Sequence, residues 1–115
     1  MDMQQIEDII KNFSTQRDWE KFHNPKNLAM ALSVEASELV EIFQWLDLKE
    51  AENLSEEKKQ HTKEELADIA VYLIRLCMKF NINLEEAIIE KMKKNEKKYP
   101  LTDEYGQKIL YGKKN

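Results

Sequence analysis

One cysteine, two glycines and two prolines stand among the 115 residues. A lone thiol, Cys77, excludes an intramolecular disulfide and any cysteine-rich zinc centre. So few glycines and prolines leave little material for tight hairpin turns or a glycine-rich phosphate loop, which argues against a sandwich or barrel. No apolar run approaches the ~18 residues that a bilayer span needs. The opening stretch Met1-Asp2-Met3-Gln4-Gln5-Ile6-Glu7-Asp8 is acidic and lacks the apolar core of a secretory leader. These absences predict a cytoplasmic protein with no membrane partner.

Charge is abundant, at 35% of residues against 42% hydrophobic. A chain of this size forms one domain or a subunit, and buries roughly 65% of the surface its unfolded form exposes. The net charge of −4 is unevenly spread. Residues 1–57 carry 13 acidic and 5 basic side chains, a net of −8, and residues 58–115 carry 9 and 13, a net of +4. The densest basic patch is Lys91, Lys93, Lys94, Lys97 and Lys98. It reads either as a solvated helix face or as a phosphate-binding end. Duplex nucleic acid is a poor partner, because the acidic half repels a polyanion.

Four long segments show helical spacing, and no segment sustains strand alternation. The first is predicted from about Met3 to Arg17, with Ile6, Ile9, Ile10 and Phe13 on one face. The connector Asp18-Trp19-Glu20-Lys21-Phe22-His23 holds aromatics that call for cover. Asn24-Pro25 opens the second helix, an N-cap followed by a proline at the first position, where its missing N–H costs nothing. That helix runs to about Trp45 or Leu46. A polar connector with room for a short helical turn follows, from Asp47 to Leu54. The third helix spans about Ser55 to Phe80. The fourth starts at Asn83, with Glu86 in capping-box spacing, and ends at Tyr99-Pro100. Residues 1–100 are thus read as one all-α domain, a four-helix-bundle-like subunit. Residues 101–115 are read as an irregular tail with Gly106 and Gly112, frayed at Lys113-Lys114-Asn115.

The apolar stripes break where acids replace expected core residues. On the second helix Leu28, Leu32, Leu39, Ile42 and Leu46 step by threes and fours, and the missing member is Glu35. Glu38 lies one turn on, in the row Ala31, Val34, Glu38, Ile42, Trp45. On the third helix Glu65 heads the row Ile69, Tyr72, Leu76, Phe80, and Asp68 lies four before Tyr72. Residues three apart share a helix face, so each helix is expected to turn two carboxylates toward its packed side. Buried carboxylates are very unfavourable unless paired or metal-bound.

Two readings of the acids compete. Arg17, Lys63 or Arg75 could neutralise them, or the stripes could be rotated so that the acids graze solvent. Alternatively the four form a divalent-metal cage. Oxygen ligands without cysteine, and with no histidine in the cluster, suit Mg²⁺ or its substitute Mn²⁺ rather than zinc. Mg²⁺ commonly takes phosphate oxygens as well, so acids plus a basic wall imply a phosphorylated substrate. A di-iron bundle needs Glu-x-x-His from two helices. The chain offers that spacing once, at Glu20-Lys21-Phe22-His23, in a connector, and His61 has Lys58 three residues before it.

Glu35-x-x-Glu38, 26 residues, then Glu65-x-x-Asp68 resembles the signature of the all-α nucleoside triphosphate pyrophosphohydrolases, the MazG-like superfamily. The flanking blocks are similar to its dCTP pyrophosphatase branch. They are Arg17-Asp18-Trp19-Glu20-Lys21-Phe22-His23-Asn24-Pro25, Glu38-Leu39-Val40-Glu41-Ile42-Phe43-Gln44-Trp45, and Glu64-Glu65-Leu66-Ala67-Asp68-Ile69-Ala70-Val71-Tyr72-Leu73. The end of the fourth helix, Lys91 to Pro100, is similar too. Val34 departs from the many MazG-type proteins that carry a further Glu there, although the dCTP pyrophosphatase branch also lacks one. The connector after Trp45 differs in length and composition.

The resemblance implies that Glu35, Glu38, Glu65 and Asp68 bind Mg²⁺ and serve catalysis. It implies that Lys91 and Asn95 contact a triphosphate, and that Trp19, Phe22, His23, Trp45 and Tyr72 surround base and sugar. The implied reaction converts a (deoxy)nucleoside triphosphate, a dCTP-like pyrimidine by likeness, to monophosphate and pyrophosphate. The implied assembly is a homodimer or a dimer of dimers with sites at a subunit interface. Packing roles compete at Trp45 and Tyr72, which lie on apolar rows, and at Trp19 and Phe22, which could staple the connector. Two other functions compete: a non-catalytic helical interaction module, and a hydrolase of the same fold acting on another nucleotide.

Overall fold

The computed structural model describes residues 2–109 and forms two compact units, Met1–Asn81 and Ile82–Asn115. Gly112 and the Lys113-Lys114-Asn115 tip lie outside the described residues.

The first unit holds four α-helices. α1 spans Met3–Gln16 and opens on Asp2, whose carboxylate accepts from the Gln5 N–H at 3.2 Å. Its far end is closed by a Schellman motif. Trp19 N donates to Ser14 O at 3.0 Å and Asp18 N to Thr15 O at 3.2 Å. Asp18 takes the left-handed conformation that this cap requires, at φ 56. Asp tolerates that region because its short polar side chain bonds locally. A single 3-10 turn, Glu20–Phe22, leads on.

α2 covers Pro25–Phe43 and begins as the sequence predicts, with Asn24 Oδ1 accepting from Asn27 N at 2.9 Å. The polar connector contains a short helix, α3, over Leu48–Glu52. It carries a full capping box: Asp47 accepts from Glu50 N at 2.7 Å, and Glu50 accepts from Asp47 N at 3.1 Å. α4 spans Glu56–Lys79, capped by Ser55 and opened by two acids that suit its N-terminal dipole.

α2 packs along α4, and α1 lies against α4. The core is Ile10 of α1, Leu28 of α2, and Ile74 and Cys77 of α4. Leu28 is 1% exposed, and burying such a side chain stabilises by about 1.5–3 kcal/mol. Ile9 and Phe13, placed with the core stripe of α1 by their spacing, remain exposed. Burial pushes the Cys77 thiol up, helped by the Glu7 carboxylate, which keeps it a protonated packing group.

The second unit holds α5, Leu84–Lys98. Asn83 accepts from Glu86 N at 3.1 Å, one half of the capping box expected there. Beyond it, Asp103 Oδ1 accepts from both Tyr105 N and Gln107 N at 2.9 Å, and Thr102 bridges Lys108. Gly106 sits at φ 78 in this turn.

Candidate functional site

Three of the four predicted acids converge. Glu35 and Glu38 lie one turn apart on α2, and Glu65 meets them from α4. One carboxylate oxygen from each lies within 4.8 Å of the other two. Glu65 is only 7% exposed, and Glu35 and Glu38 are half-buried. The α2–α4 packing makes this meeting obligatory, because the acids occupy stripe positions that face the neighbouring helix.

The cluster is electrostatically unfavourable as it stands. Glu35 is pushed up to about 7, first by burial. Hydrogen bonding with Glu65 and Glu38 and repulsion from Glu38 and Asp68 add to the rise. Glu35 Oε2 and Glu65 Oε2 are buried with no donor in reach. Buried acceptors of this kind call for a donor or a cation. Three hard oxygen donors of one charge sign fit a divalent cation of the Mg²⁺ type, so the residues present suit a metal. Asp68 is exposed and stands outside the trio, but it lines a cavity with Glu35 and raises that group's pKa.

Two of the cations that could have neutralised the acids, Arg17 and Arg75, go elsewhere. The Arg17 guanidinium lies 3.7 Å over the Phe13 ring, and Arg75 donates to Ser14. Among the described residues, His61 is the one basic group in ion-pair range of the trio, with Nε2 at 3.4 Å from Glu65 Oε1. His61 thus touches the trio through Glu65, while the cluster of possible ligands is made of the three acids. The signal was present in the sequence, since His61 and Glu65 are four apart and share a face of α4.

A cavity of about 340 Å³ runs beside the acids. Glu35, Asp68, Trp19, His23 and Tyr72 all line it. It therefore gathers two predicted metal ligands and three predicted base or sugar contacts. Phe13 adds a wall the sequence reading did not single out, its ring edge-on to Trp19 at 5.6 Å between centroids. Burial, then the nearby Arg75 and Lys79, hold His23 below the usual histidine range, so it is neutral at pH 7.

Two other predicted residues of the first unit, Trp45 and Phe22, are not among those that line this cavity. Trp45 is 86% exposed and borders a second hollow with Ile42, Lys58 and His61. Phe22 is exposed, with Lys21 Nζ 5.3 Å from its ring centre. Lys91 and Asn95 stand one turn apart on α5, in the second unit; Lys91 is exposed and Asn95 half-buried.

The fold and this site define an all-α protein with an acidic, metal-competent cluster beside an aromatic cavity. The pattern of the MazG-like family matches residues 30–113, and the chain belongs to that family. It is 37% identical over 111 residues to dCTP pyrophosphatase 1 of Rattus norvegicus, covering 92% of this chain and 65% of the relative. To the Homo sapiens protein of the same name it is 38% identical over 100 residues, covering 83% and 59%. The chain thus spans somewhat less than two thirds of the length of these relatives. A crystal structure of a pyrophosphatase from Archaeoglobus fulgidus superposes with a TM-score of 0.82 at 44% identity, covering 87% of this chain and 94% of that one.

Proposed function

We propose that the protein is a nucleoside triphosphate pyrophosphohydrolase, dependent on Mg²⁺ or Mn²⁺, with a dCTP-like pyrimidine deoxynucleotide as substrate. The observation that carries this reading is the meeting of Glu35, Glu38 and Glu65 beside the cavity that Trp19 and Tyr72 line. The names of the relatives support it: two are dCTP pyrophosphatases, and the similar crystal structure is of a pyrophosphatase.

Glu35, Glu38 and Glu65, with Asp68 beside them, would hold the cation. When bound, it supplies charge neutralisation for phosphate oxygens and a water of lowered pKa. The reaction adds water to the α-phosphorus, breaks the bond from that phosphorus to the bridging oxygen, and releases monophosphate and pyrophosphate. Phosphoryl chemistry of this kind asks the protein mainly for position and charge. Trp19 and Tyr72 grip base and sugar, where one base–aromatic stack contributes about 1–3 kcal/mol. Phe22 and Trp45 keep the base-side roles that the resemblance implies, and Lys91 and Asn95 the triphosphate-contacting role. His61 holds the Glu65 carboxylate in place.

The working form is a homodimer or a dimer of dimers. Val34, Val40, Leu66 and Leu73 are exposed on α2 and α4, more apolar surface on two adjacent helices than a lone subunit readily leaves in water.

The test is pyrophosphate release with Mg²⁺ across natural and modified triphosphates. Wild type is expected to release pyrophosphate and monophosphate, fastest from dCTP-like substrates. Glu38→Gln and Asp68→Asn proteins that both stay near wild type would overturn the proposal.

A further inference from the structure

The carboxylate chemistry leaves Arg75 of α4 unused. Its Nη1 donates to the Ser14 hydroxyl. Ser14, fully buried on α1, donates in turn to the Ile10 carbonyl at 3.4 Å. His23 Nδ1 stands 3.5 Å from the same Arg75 nitrogen. Since His23 is neutral and faces a donor on Nδ1, that nitrogen is the acceptor and Nε2 carries the proton. Arg75 Nε is buried and finds no acceptor. Among the described residues no carboxylate lies in ion-pair range of the guanidinium. Glu20 acts on it only from a distance, its carboxylate accepting from Thr15 Oγ1 at 3.2 Å. A guanidinium taken out of water with a donor unmatched is unfavourable until an acceptor arrives.

Its location says which acceptor. Asp68, Tyr72 and Arg75 line one cavity from one helix. Asp68 and Arg75 are seven residues apart, two turns or about 10 Å along α4. The cavity therefore has acids toward one end and a spare buried donor toward the other. On the triphosphate reading, on which this inference rests, phosphates belong with the cation at the acid end. The base then lies toward Arg75.

We infer that Arg75, held in place by Ser14 and His23, is a specificity residue that reads an acceptor edge of the nucleobase and favours cytosine. A guanidinium presents its Nε and one terminal nitrogen as a planar fork that suits two adjacent acceptors. Cytosine offers such a pair in O2 and N3. Thymine and uracil carry an N–H at N3, which meets the fork donor to donor. Adenine sets a donor beside each ring acceptor on its Watson–Crick and Hoogsteen edges. Guanine offers O6 and N7, a pair arginine reads in DNA, and so serves as the control.

The experiment measures kcat and KM for dCTP, dTTP and dGTP with wild type, Arg75→Met, Arg75→Lys and Ser14→Ala, each checked for folding by circular dichroism. Wild type should prefer dCTP. Arg75→Met should raise KM for dCTP roughly 10- to 100-fold, with a smaller change in kcat, and bring the dCTP to dTTP ratio toward one. Arg75→Lys keeps the charge and the stem without the fork, so it should lose the ratio even if the Met protein fails to fold. Ser14→Ala should shift the ratio the same way by less. An unchanged ratio, an equal loss on dCTP and dTTP, a loss confined to kcat, or an Arg75-dependent preference for dGTP would each overturn the inference. If wild type cleaves no triphosphate, the pyrophosphohydrolase reading fails by itself. Calorimetric binding of dCMP against dTMP to the same proteins then decides the role of Arg75 separately, and an unchanged ratio there overturns it.

Discussion

Glu35 on α2 and Glu65 on α4 each keep one carboxylate oxygen buried and without a donor, while their ligand atoms lie within 4.8 Å of each other. Two acids so placed destabilise the fold they belong to. The helix pairing, driven by apolar side chains on the same stripes, forces them together. Stability and the proposed metal binding therefore oppose each other at this site.

The first consequence is a pH signature. The folded pKa of Glu35, about 7, lies above the ordinary 4.5. Between those values the native state holds a proton that the unfolded chain has released, so its contribution to stability is lost as pH rises through 7. His23 works the other way: neutral in the fold, it costs stability as pH falls below 6.5. The difference between wild type and Glu35→Gln isolates the first effect. Without metal at pH 8, Glu35→Gln should melt about 5 °C above wild type, a gap that closes near pH 5. A divalent cation should raise the wild-type midpoint at pH 8 and leave the variant nearly unmoved. Thermal melts with and without Mg²⁺ check both statements.

Glu65→Gln should reduce pyrophosphate release by more than about 100-fold, because it removes a charge from the centre of the trio. His61→Ala removes only the group that orients Glu65, and should cost about 10- to 100-fold, partly recoverable with added Mg²⁺. A metal titration of activity distinguishes the two: the His61 defect moves the metal dependence, whereas the Glu65 defect persists at saturation.

Leu28 is the most completely buried large side chain of the first unit. Leu28→Ala should destabilise by about 2–5 kcal/mol through lost burial and the cavity left behind. Denaturant unfolding should show a lower midpoint with little change in slope.

The exposed apolar side chains of α2 and α4 predict self-association. Sedimentation at micromolar concentration should give a dimer or larger species. Leu66→Lys or Leu73→Lys should shift the population toward monomer, whereas a wild-type monomer would contradict the assembly.

Much of this was legible in the residues. Asn24-Pro25, Ser55 and Asn83 start helices where their side chains predict, because a cap bonds an N–H three residues away. The broken apolar rows exposed Glu35, Glu38 and Glu65 for the same kind of reason, since a stripe repeats within a few residues. The capping box of Asp47 and Glu50 was equally local but lay in a stretch read as a connector. The contact of His61 with Glu65 is local as well, since residues four apart share a helix face, although His61 does not fit the Glu-x-x-His spacing of a di-iron bundle.

Helix starts, helix ends and the positions of misplaced charge follow from interactions spanning one turn, and the order of residues specifies those outright. Which charges meet depends on how α2 and α4 cross and rotate about their axes, a matter of side-chain packing between segments tens of residues apart. That packing brought Glu65 to Glu35 and left Asp68 at the cavity wall. It also carried Arg75 away from the acids to Ser14, 61 residues distant, and separated Trp45 from the cavity that Trp19 lines.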